Sequence, residues 1–200
     1  MKTSTQPAPE LRSGSHILIE MLERNGVKQI CGYPGGTIMP VYDACLDMNI
    51  EILHTRHEAA CVFMADAWAQ LTGEIGVCLV TAAPGASNAI GPLYTARQSE
   101  SPVLLLTGDS PLAQDGRGAF QELDQVAMTA PVTKLSLRAK DPGTLGQDAA
   151  RAVQVALSGR PGPVHMALPV DVLEAGVADA AVPAAPAFQP QNAGPERDQT

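Results

Sequence analysis

The sequence predicts a doubly wound α/β domain, with a mostly parallel sheet and helices on both of its faces. Short continuous apolar runs, such as residues 75–80, are typical of strands that are buried on both sides. Segments with apolar residues at helical spacing separate these runs, and Gly- or Pro-rich turns punctuate the alternation. Strands that alternate with helices imply a parallel sheet that helices cover.

The strands are predicted from short apolar runs. In chain order they cover residues 27–31, 50–53, 75–80, 102–106, 131–137 and 163–168. Residues 108–117 are polar and contain glycine, so we predict that they form a loop. The run Gly159-Arg160-Pro161-Gly162 is predicted to form a turn before the last strand.

The helices are predicted from apolar residues at a spacing of about 3.6. In chain order they cover residues 17–22, 38–46, 58–72, 86–96 and 141–157. Pro40 fits only the first turn of the second helix, Gly73 ends the third, and Asp141 is predicted to cap the last. A stripe on the third helix is predicted to face the core and comprises Ala60, Phe63, Met64, Ala67, Trp68 and Leu71.

The length of 200 residues suits one domain with a tail. We predict a flexible N-terminus over residues 1–12, a folded domain over residues 13–175, and an interdomain linker or tail over residues 176–200. The last segment is rich in Ala, Pro, Gln and Asn and has no apolar period. A linker in this position leads us to expect that the natural polypeptide continues.

The composition limits the partners and the location of the protein. The formal net charge is -8 and no Lys/Arg cluster occurs, which argues against a nucleic-acid partner. The first ten residues lack the apolar core of a signal peptide, and no apolar stretch is long enough to span a bilayer. The four cysteines are far apart and have no metal-ligand spacing, with Cys31 and Cys78 in apolar runs. A reducing cytoplasm is therefore predicted.

Motifs for several kinds of chemistry are absent from the sequence. No GxxxxGK[ST] phosphate loop, GxGxxG dinucleotide fingerprint, HExxH zinc motif or GxSxG nucleophile motif occurs. We therefore predict neither a P-loop nor a dinucleotide site, no serine-hydrolase site and no metal ligands.

The candidate catalytic group is Glu58, which follows a predicted strand and begins a predicted helix between two glycine-rich turns. Ligand sites in open α/β sheets form at the carboxyl ends of strands, and an acid beside such a cleft could transfer a proton. Two alternatives remain open. Glu58 could be an acid that the helix dipole favours in a first turn, and the glycines could serve only tight turns. Arg56 and His57 are predicted to be surface or supporting groups.

The order of the motifs is more specific than any one of them. They are Gly32-Tyr33-Pro34-Gly35-Gly36, Arg56-His57-Glu58-Ala59-Ala60, Thr81-Ala82-Ala83-Pro84-Gly85-Ala86-Ser87-Asn88, Phe120-Gln121-Glu122 and Gly159-Arg160-Pro161-Gly162-Pro163-Val164. This arrangement resembles the N-terminal, pyrimidine-binding domain of thiamine-diphosphate-dependent enzymes. Within that superfamily it is most similar to the acetolactate synthases, over residues 13–175.

The resemblance implies a thiamine diphosphate site. Glu58 resembles the family's glutamate that hydrogen-bonds N1′ of the aminopyrimidine and so promotes loss of the proton at C2. The residues implied to bind the cofactor are Tyr33, Pro34, Gly35, Gly36, Glu58, Thr81, Pro84, Gly85, Asn88 and Arg160. Gln121 resembles a glutamine near the reacting adduct and is implied as a second catalytic residue. Arg160 resembles an arginine that contacts FAD, an optional second cofactor; the alternative is a turn residue that pairs with a nearby acid.

The sequence also departs from the family pattern. The family loop usually reads Ser/Thr-Gly-Pro-Gly, and Ala83 stands in place of its first glycine. An Ala-Pro-Gly loop is similar to that of oxalyl-CoA decarboxylase-like members. We expect the methyl group of Ala83 to be accommodated only if its φ is negative. The Gly-Asp-Gly…Asn motif that holds Mg²⁺ and the diphosphate in the family does not occur, so a separate domain is expected to supply it.

The resemblance therefore predicts an acetolactate synthase-like carboligase of branched-chain amino acid biosynthesis. Such an enzyme decarboxylates pyruvate and transfers the two-carbon unit to a 2-oxo acid. It implies a homodimer or homotetramer with the thiamine site between subunits, and a chain that alone binds the cofactor weakly and is inactive. Two alternatives remain: another 2-oxo-acid or oxalyl-CoA-type decarboxylase, and a non-catalytic assembly module.

Overall fold

The structure, a computed structural model, covers residues 11–178. The strands are, in chain order, β1 (Leu11–Ser13), β2 (Gln29–Gly32), β3 (Glu51–His54), β4 (Gly76–Val80), β5 (Val103–Asp109), β6 (Leu135–Arg138), β7 (Val164–Pro169) and β8 (Gly176–Ala178). The helices are α1 (Gly14–Arg24), α2 (Met39–Leu46), α3 (Glu58–Thr72), α4 (Pro84–Gln98), α5 (Gln125–Thr129), α6 (Leu145–Leu157) and α7 (Val170–Glu174). Short 3₁₀ turns cover Gly36–Ile38, Leu112–Gln114 and Ala130–Val132.

The main sheet contains six parallel strands in the order β3-β2-β4-β5-β7-β6. The chain passes from β2 to β3 on one side and then returns to β4 on the other side of β2. Because the winding direction reverses here, a crevice opens at the carboxyl ends of β2 and β4, where open α/β sheets bind ligands. The predicted doubly wound parallel sheet is confirmed.

Helices cover both faces of this sheet. On one face α1 packs against α2 and α6, and on the other α3 packs against α4. Side chains of β4 alternate between the two faces, with Val77 and Leu79 in one hydrophobic cluster and Cys78 and Val80 in the other. Within residues 11–178, none of these helices combines the length and the apolar character needed to cross a bilayer.

The predicted core face of α3 is wrong. Phe63, Met64 and Leu71 are 50%, 40% and 87% exposed. The buried residues of this helix are Glu58, Cys61, Val62, Ala65, Asp66 and Ala69. Small residues are needed on the sheet side because α3 approaches closely there, and a Cβ at Gly76 would overlap the carbonyl oxygen of Ala65. Most of α3 is apolar, so its periodicity could not distinguish the inner face from the outer one.

Several predicted boundaries also differ from the structure. β5 continues to Asp109, which lies in the predicted loop. The predicted strand over residues 131–137 starts with a 3₁₀ turn, because Pro131 has no N–H to give to a ladder. Thr144, not Asp141, stands at the N-cap of α6, and Asp141 instead accepts a hydrogen bond from the Gly143 N–H at 2.8 Å. The five-residue helices α5 and α7 were too short to show a period.

The two ends of the covered chain form a small antiparallel ribbon. Leu11 pairs with Ala178 and Ser13 pairs with Gly176. Residues 11–12 and 176–178 therefore join the fold, whereas we predicted them to lie in a flexible terminus and a linker. The two segments form a ladder of paired backbone residues with each other. The composition of the segments alone did not indicate this pairing. The rest of both predicted segments lies outside the described residues.

Candidate functional site

Two loops line the crevice at the carboxyl ends of β2 and β4. Residues 33–36 leave β2, and residues 81–83 lead from β4 into α4. The loops touch, because a Cβ at Gly35 would overlap the side chain of Thr81. The Tyr33 N–H also donates to the carbonyl oxygen of Leu79 at 3.1 Å. The structure thus brings together the two predicted segments that contain Tyr33, Pro34, Gly35, Gly36, Thr81, Pro84, Gly85 and Asn88.

Thr37 connects these loops and was not predicted. Its Oγ1 lies 3.1 Å from Oγ1 of Thr81 and accepts a hydrogen bond from the Ala82 N–H at 3.3 Å. Thr37 also fills the space above Gly108 on β5, where a Cβ would overlap Oγ1. The hydroxyl therefore ties together the ends of three strands. In the sequence it appears only as a threonine after two glycines, which is a weak signal.

Glu58 is the first residue of α3 and is 7% exposed. The helix begins here because His57 caps it: the backbone of His57 is extended, and its Nδ1 accepts a hydrogen bond from the Ala59 N–H at 3.1 Å. Nδ1 of His57 lies 4.0 Å from Oε2 of Glu58. A nitrogen that accepts a hydrogen bond carries no proton, so this approach is not an ion pair. The amino end of the helix favours a negative charge at Glu58.

The two carboxylate oxygens of Glu58 have different surroundings. Oε2 accepts a hydrogen bond from Nδ2 of Asn88 at 3.0 Å. Oε1 makes no hydrogen bond within residues 11–178 and lies 3.5 Å from the point where a Cβ of Gly85 would stand. Since Gly85 has no side chain, space is left beside Oε1. A buried acid therefore keeps one oxygen open at the loop that begins α4.

Ala83 does not have the negative φ that we expected. Its φ is 45° and its ψ is -90°. An alanine pays a steric cost in this region, on the order of 1–3 kcal/mol. Pro84 follows in the first turn of α4, where a missing N–H is tolerated. The loop between β4 and α4 thus holds strained backbone two residues before Gly85, at the position where the family pattern has glycine.

Gln121 lies on a loop at the same edge of the sheet, between β5 and α5. The loop is held by Glu122, whose carboxylate accepts hydrogen bonds from the N–H groups of Gly116, Gly118 and Ala119 at 2.6, 2.9 and 3.0 Å. These bonds, led by that from Gly116, lower the pKa of Glu122. Gln121 itself has a φ of 60°, and within residues 11–178 its side chain makes no hydrogen bond. No hydrogen bond joins it to Glu58 in this part of the chain.

Arg160 lies away from the crevice. It stands in the turn before β7, at the amino edge of the sheet, whereas Glu58 lies at the carboxyl edge. Its Nη2 is 2.5 Å from Oε1 of Glu100, and its side chain is 78% exposed. The ion pair matches the alternative that we gave for this residue. The structure does not bring Arg160 together with the other predicted site residues.

Comparison with known proteins identifies the family. Residues 12–128 match the family described as thiamine pyrophosphate enzyme, N-terminal TPP binding domain. The chain belongs to this family. Thiamine pyrophosphate is the same compound as thiamine diphosphate, so the family is the one that the motifs predicted.

Individual relatives agree with this membership. The chain is 43% identical over 159 residues to the probable acetolactate synthase large subunit of Methanocaldococcus jannaschii, covering 80% of this chain and 27% of the relative. It is 43% identical over 165 residues to the acetolactate synthase isozyme 3 large subunit of Escherichia coli (strain K12), covering 82% and 29%. It is 39% identical over 162 residues to 2-hydroxyacyl-CoA lyase 2 of Danio rerio, covering 81% and 26%. The chain spans little more than a quarter of the length of these relatives.

Proposed function

We propose that this chain binds the aminopyrimidine of thiamine diphosphate in an acetolactate synthase-like enzyme, with Glu58 as the acid–base residue. One observation carries the proposal: a buried carboxylate stands where the sheet reverses its winding, and its Oε1 has no hydrogen-bond partner within residues 11–178. The relatives named acetolactate synthase support the choice of reaction. When bound, thiamine diphosphate supplies the nucleophilic carbon that attacks a 2-oxo acid such as pyruvate.

The residues around the crevice fit this cofactor. Oε1 of Glu58 would share a proton with N1′ of the pyrimidine, which is the task of a positioned acid–base group. Gly35 and Gly85 let the two loops that line the crevice pack closely, because a side chain at either position would meet Thr81, and Gly85 also leaves space beside Oε1 of Glu58. Gln121 would approach the substrate from the neighbouring loop, where its side chain has no hydrogen bond to another described residue.

The remaining parts of the site would come from elsewhere in the enzyme. Within residues 11–178, no cluster of His, Cys, Asp and Glu side chains could hold a metal ion. We therefore assign Mg²⁺ and the diphosphate to a separate domain, and the acceptor 2-oxo acid to the space between the two. FAD remains an optional cofactor. Arg160, which the resemblance assigns to FAD, would contact it through the donors that its ion pair with Glu100 leaves unused.

A second copy of the chain would cover the outer face of α3 and α4. Phe63, Met64, Leu71 and Tyr94 are 50%, 40%, 87% and 52% exposed on these two helices. Large apolar side chains exposed on neighbouring helices are typical of a protein–protein interface. Both helices begin at the crevice, so a homodimer or homotetramer through this face would place the thiamine site beside the partner subunit.

A reducing cytoplasm suits this enzyme. The four cysteines are buried and unpaired. Burial raises the pKa of Cys31 and of Cys45 to about 11, with a further contribution from Cys61 at Cys31. Both thiols are therefore protonated at neutral pH and pack as small apolar groups.

The test of the proposed function replaces Glu58 by glutamine in the complete enzyme. Glutamine keeps the size of the side chain but cannot share the proton. We expect exchange of the C2 proton and formation of acetolactate from pyruvate to fall by a factor on the order of 10² or more. Glu51→Gln, an exposed position on β3, is the matched control and should leave both rates unchanged. Exchange at the wild-type rate in Glu58→Gln would exclude Glu58 from this role.

A second candidate reaction is favoured by one relative and by the Ala83-Pro84-Gly85 loop. The relative is named 2-hydroxyacyl-CoA lyase 2, and the loop is similar to that of oxalyl-CoA decarboxylase-like enzymes. Activity assays of the wild-type enzyme distinguish the two candidate reactions. One assay supplies pyruvate, and the others supply a 2-hydroxyacyl-CoA or oxalyl-CoA. Acetolactate formed from pyruvate supports the synthase. Cleavage of the coenzyme A thioester substrates without acetolactate would support the alternative.

A further inference from the structure

The side-chain amide of Asn88 is directed at Glu58. Its Nδ2 lies 3.0 Å from Oε2 of Glu58, although the two residues are 30 positions apart. An ionised carboxylate only accepts hydrogen bonds, so the amide nitrogen and not the amide oxygen must face it. Glu58 begins α3 and Asn88 lies in the second turn of α4. The bond therefore joins the amino ends of the two helices that flank the crevice.

This bond makes the two oxygens of Glu58 unequal. The carboxylate of a glutamate turns easily about its last torsion, because that torsion has a broad energy minimum. The donor at Oε2 opposes this rotation and keeps Oε1 on the side of Gly85, 3.5 Å from the point where a Cβ would stand. A single hydrogen bond thus fixes the direction in which the open oxygen points.

The other groups near Glu58 do not provide such a bond. On α3, the neighbouring titratable groups are His57, at 4.0 Å from Oε2, and the thiol of Cys61. Nδ1 of His57 is an acceptor, and burial raises the pKa of Cys61, so that its thiol is neutral. From α4, Gly85 presents no polar side chain. Within residues 11–178, Asn88 is the side chain that donates a hydrogen bond to this carboxylate.

We infer that Asn88 is a positioning residue that acts through Glu58, holding Oε2 so that Oε1 is offered to the cofactor and stabilising the ionised carboxylate. The inference rests on the proposed function of Glu58. It replaces direct contact between Asn88 and the cofactor, which the family motif implied. Hydrogen bonds to a charged acceptor favour the charged form, so loss of Asn88 shifts proton release by Glu58 to higher pH.

The test follows the carboxyl carbon of Glu58 by NMR in the apo protein, labelled with ¹³C at glutamate Cδ. The resonance is assigned by its loss in Glu58→Gln. We expect the titration midpoint of this carbon to rise by about one pH unit in Asn88→Ala, the scale for losing a hydrogen bond to a charged group. Asn88→Asp should raise the midpoint further, because a second carboxylate then lies beside Oε2.

Ser87→Ala is the matched control. Ser87 lies beside Asn88 on α4 but donates its hydroxyl to the carbonyl oxygen of Ala83, at 2.9 Å. In Ser87→Ala, the titration midpoint of the Glu58 carboxyl carbon should equal that of the wild type. If Asn88 had only a structural role, both substitutions would lower the stability of the fold. The midpoints would then not rise in the order wild type, Asn88→Ala, Asn88→Asp. Coincident midpoints for wild type and Asn88→Ala would overturn the inference.

A second readout uses the complete enzyme and the rate of C2–H exchange across pH. Asn88→Ala should move the acid limb of this profile to higher pH, in the same direction as the NMR midpoint. An unmoved acid limb would show that Asn88 does not act through Glu58. Failure of the proposed function gives a different result, because Glu58→Gln would then exchange normally while the NMR midpoints in the apo protein still shifted.

Discussion

The folded state should lose stability below neutral pH because of one histidine, His165 on β7. Its side chain is 0% exposed. Nε2 lies 2.9 Å from Oγ1 of Thr107, and Nδ1 lies 2.9 Å from Oγ1 of Thr129 and 2.8 Å from Oγ of Ser136. Hydroxyl groups satisfy the neutral ring but provide no charge to balance a proton. Burial therefore lowers the pKa of His165 to about 3.

The sign and the size of the effect follow from this shift. In the unfolded chain the imidazole has its ordinary pKa of about 6.5. Between that value and the folded pKa of about 3, the unfolded state binds a proton that the folded state does not. Stability is therefore lost as the pH falls through this window, by about 1.4 kcal/mol per pH unit. Lowering the pH by about two units from 6.5 should cost about 2 kcal/mol from His165 alone, because the unfolded imidazole is already half protonated at the start of this interval.

The experiment compares the wild type with His165→Asn by urea unfolding at about pH 6.5, 5.5 and 4.5. Asparagine keeps polar atoms but has no proton to gain. The variant should be less stable at about pH 6.5, and its stability should fall less steeply than that of the wild type. Ser136→Ala is the control, because it removes one hydroxyl and keeps the imidazole. The free energy of unfolding of Ser136→Ala should be lower than that of the wild type at each pH, and it should fall with decreasing pH at a similar slope.

The comparison also separates His165 from the carboxylates. Hydrogen bonds from Arg160, Arg138 and the Gly116 N–H lower the pKa of Glu100, Asp115 and Glu122, respectively, so these acids also lose stabilising interactions at low pH. They are present in wild type and in His165→Asn alike, and their effect cancels in the difference of slopes. Equal slopes in the two proteins would refute the reasoning, since His165 would then accept its proton in the folded state.

Three further predictions concern backbone strain, packing and association. Ala83→Gly should raise the free energy of unfolding by about 1 kcal/mol in thermal melts, since glycine relieves the strain at a φ of 45°; a lower melting temperature would contradict this. Gly76→Ala should cost about 3 kcal/mol or more because its Cβ would overlap the Ala65 carbonyl, whereas Gly91→Ala, with open space around it, should not destabilise. Leu71→Ser should reduce self-association in sedimentation runs without lowering the melting temperature; unchanged association would argue against the outer face of α3 and α4 as an interface.

Local signals in the sequence predicted much of the fold. The apolar runs gave the strands of the main sheet to within a few residues, because a strand covered on both faces must be apolar throughout. The third helix begins at Glu58 and ends before Gly73, as predicted, and Gly73 has a left-handed φ of 74°. The short helices α5 and α7 escaped prediction because five residues contain little more than one turn.

The site was predicted in part. Glu58 could be placed at the carboxyl edge of the sheet from the sequence, because it follows a strand and a turn and begins a helix. Arg160 was grouped with it by motif, yet the turn that contains Arg160 precedes a strand and therefore lies at the opposite edge. Thr37 went unnoticed because its partner Thr81 is 44 positions away. Whether the site residues act as proposed stays a prediction.

The sequence by itself determined the alternation of strands and helices, the parallel direction of the sheet, and the edge at which a ligand site forms. These features depend on residues that are neighbours along the chain. Only the tertiary structure decided that the large apolar side chains of α3 face outward, that Asn88 holds Glu58, and that Ala83 adopts a positive φ. The physical reason is common to all three. Each depends on close packing between segments distant in sequence, and the pattern within one segment does not record which neighbour it will meet.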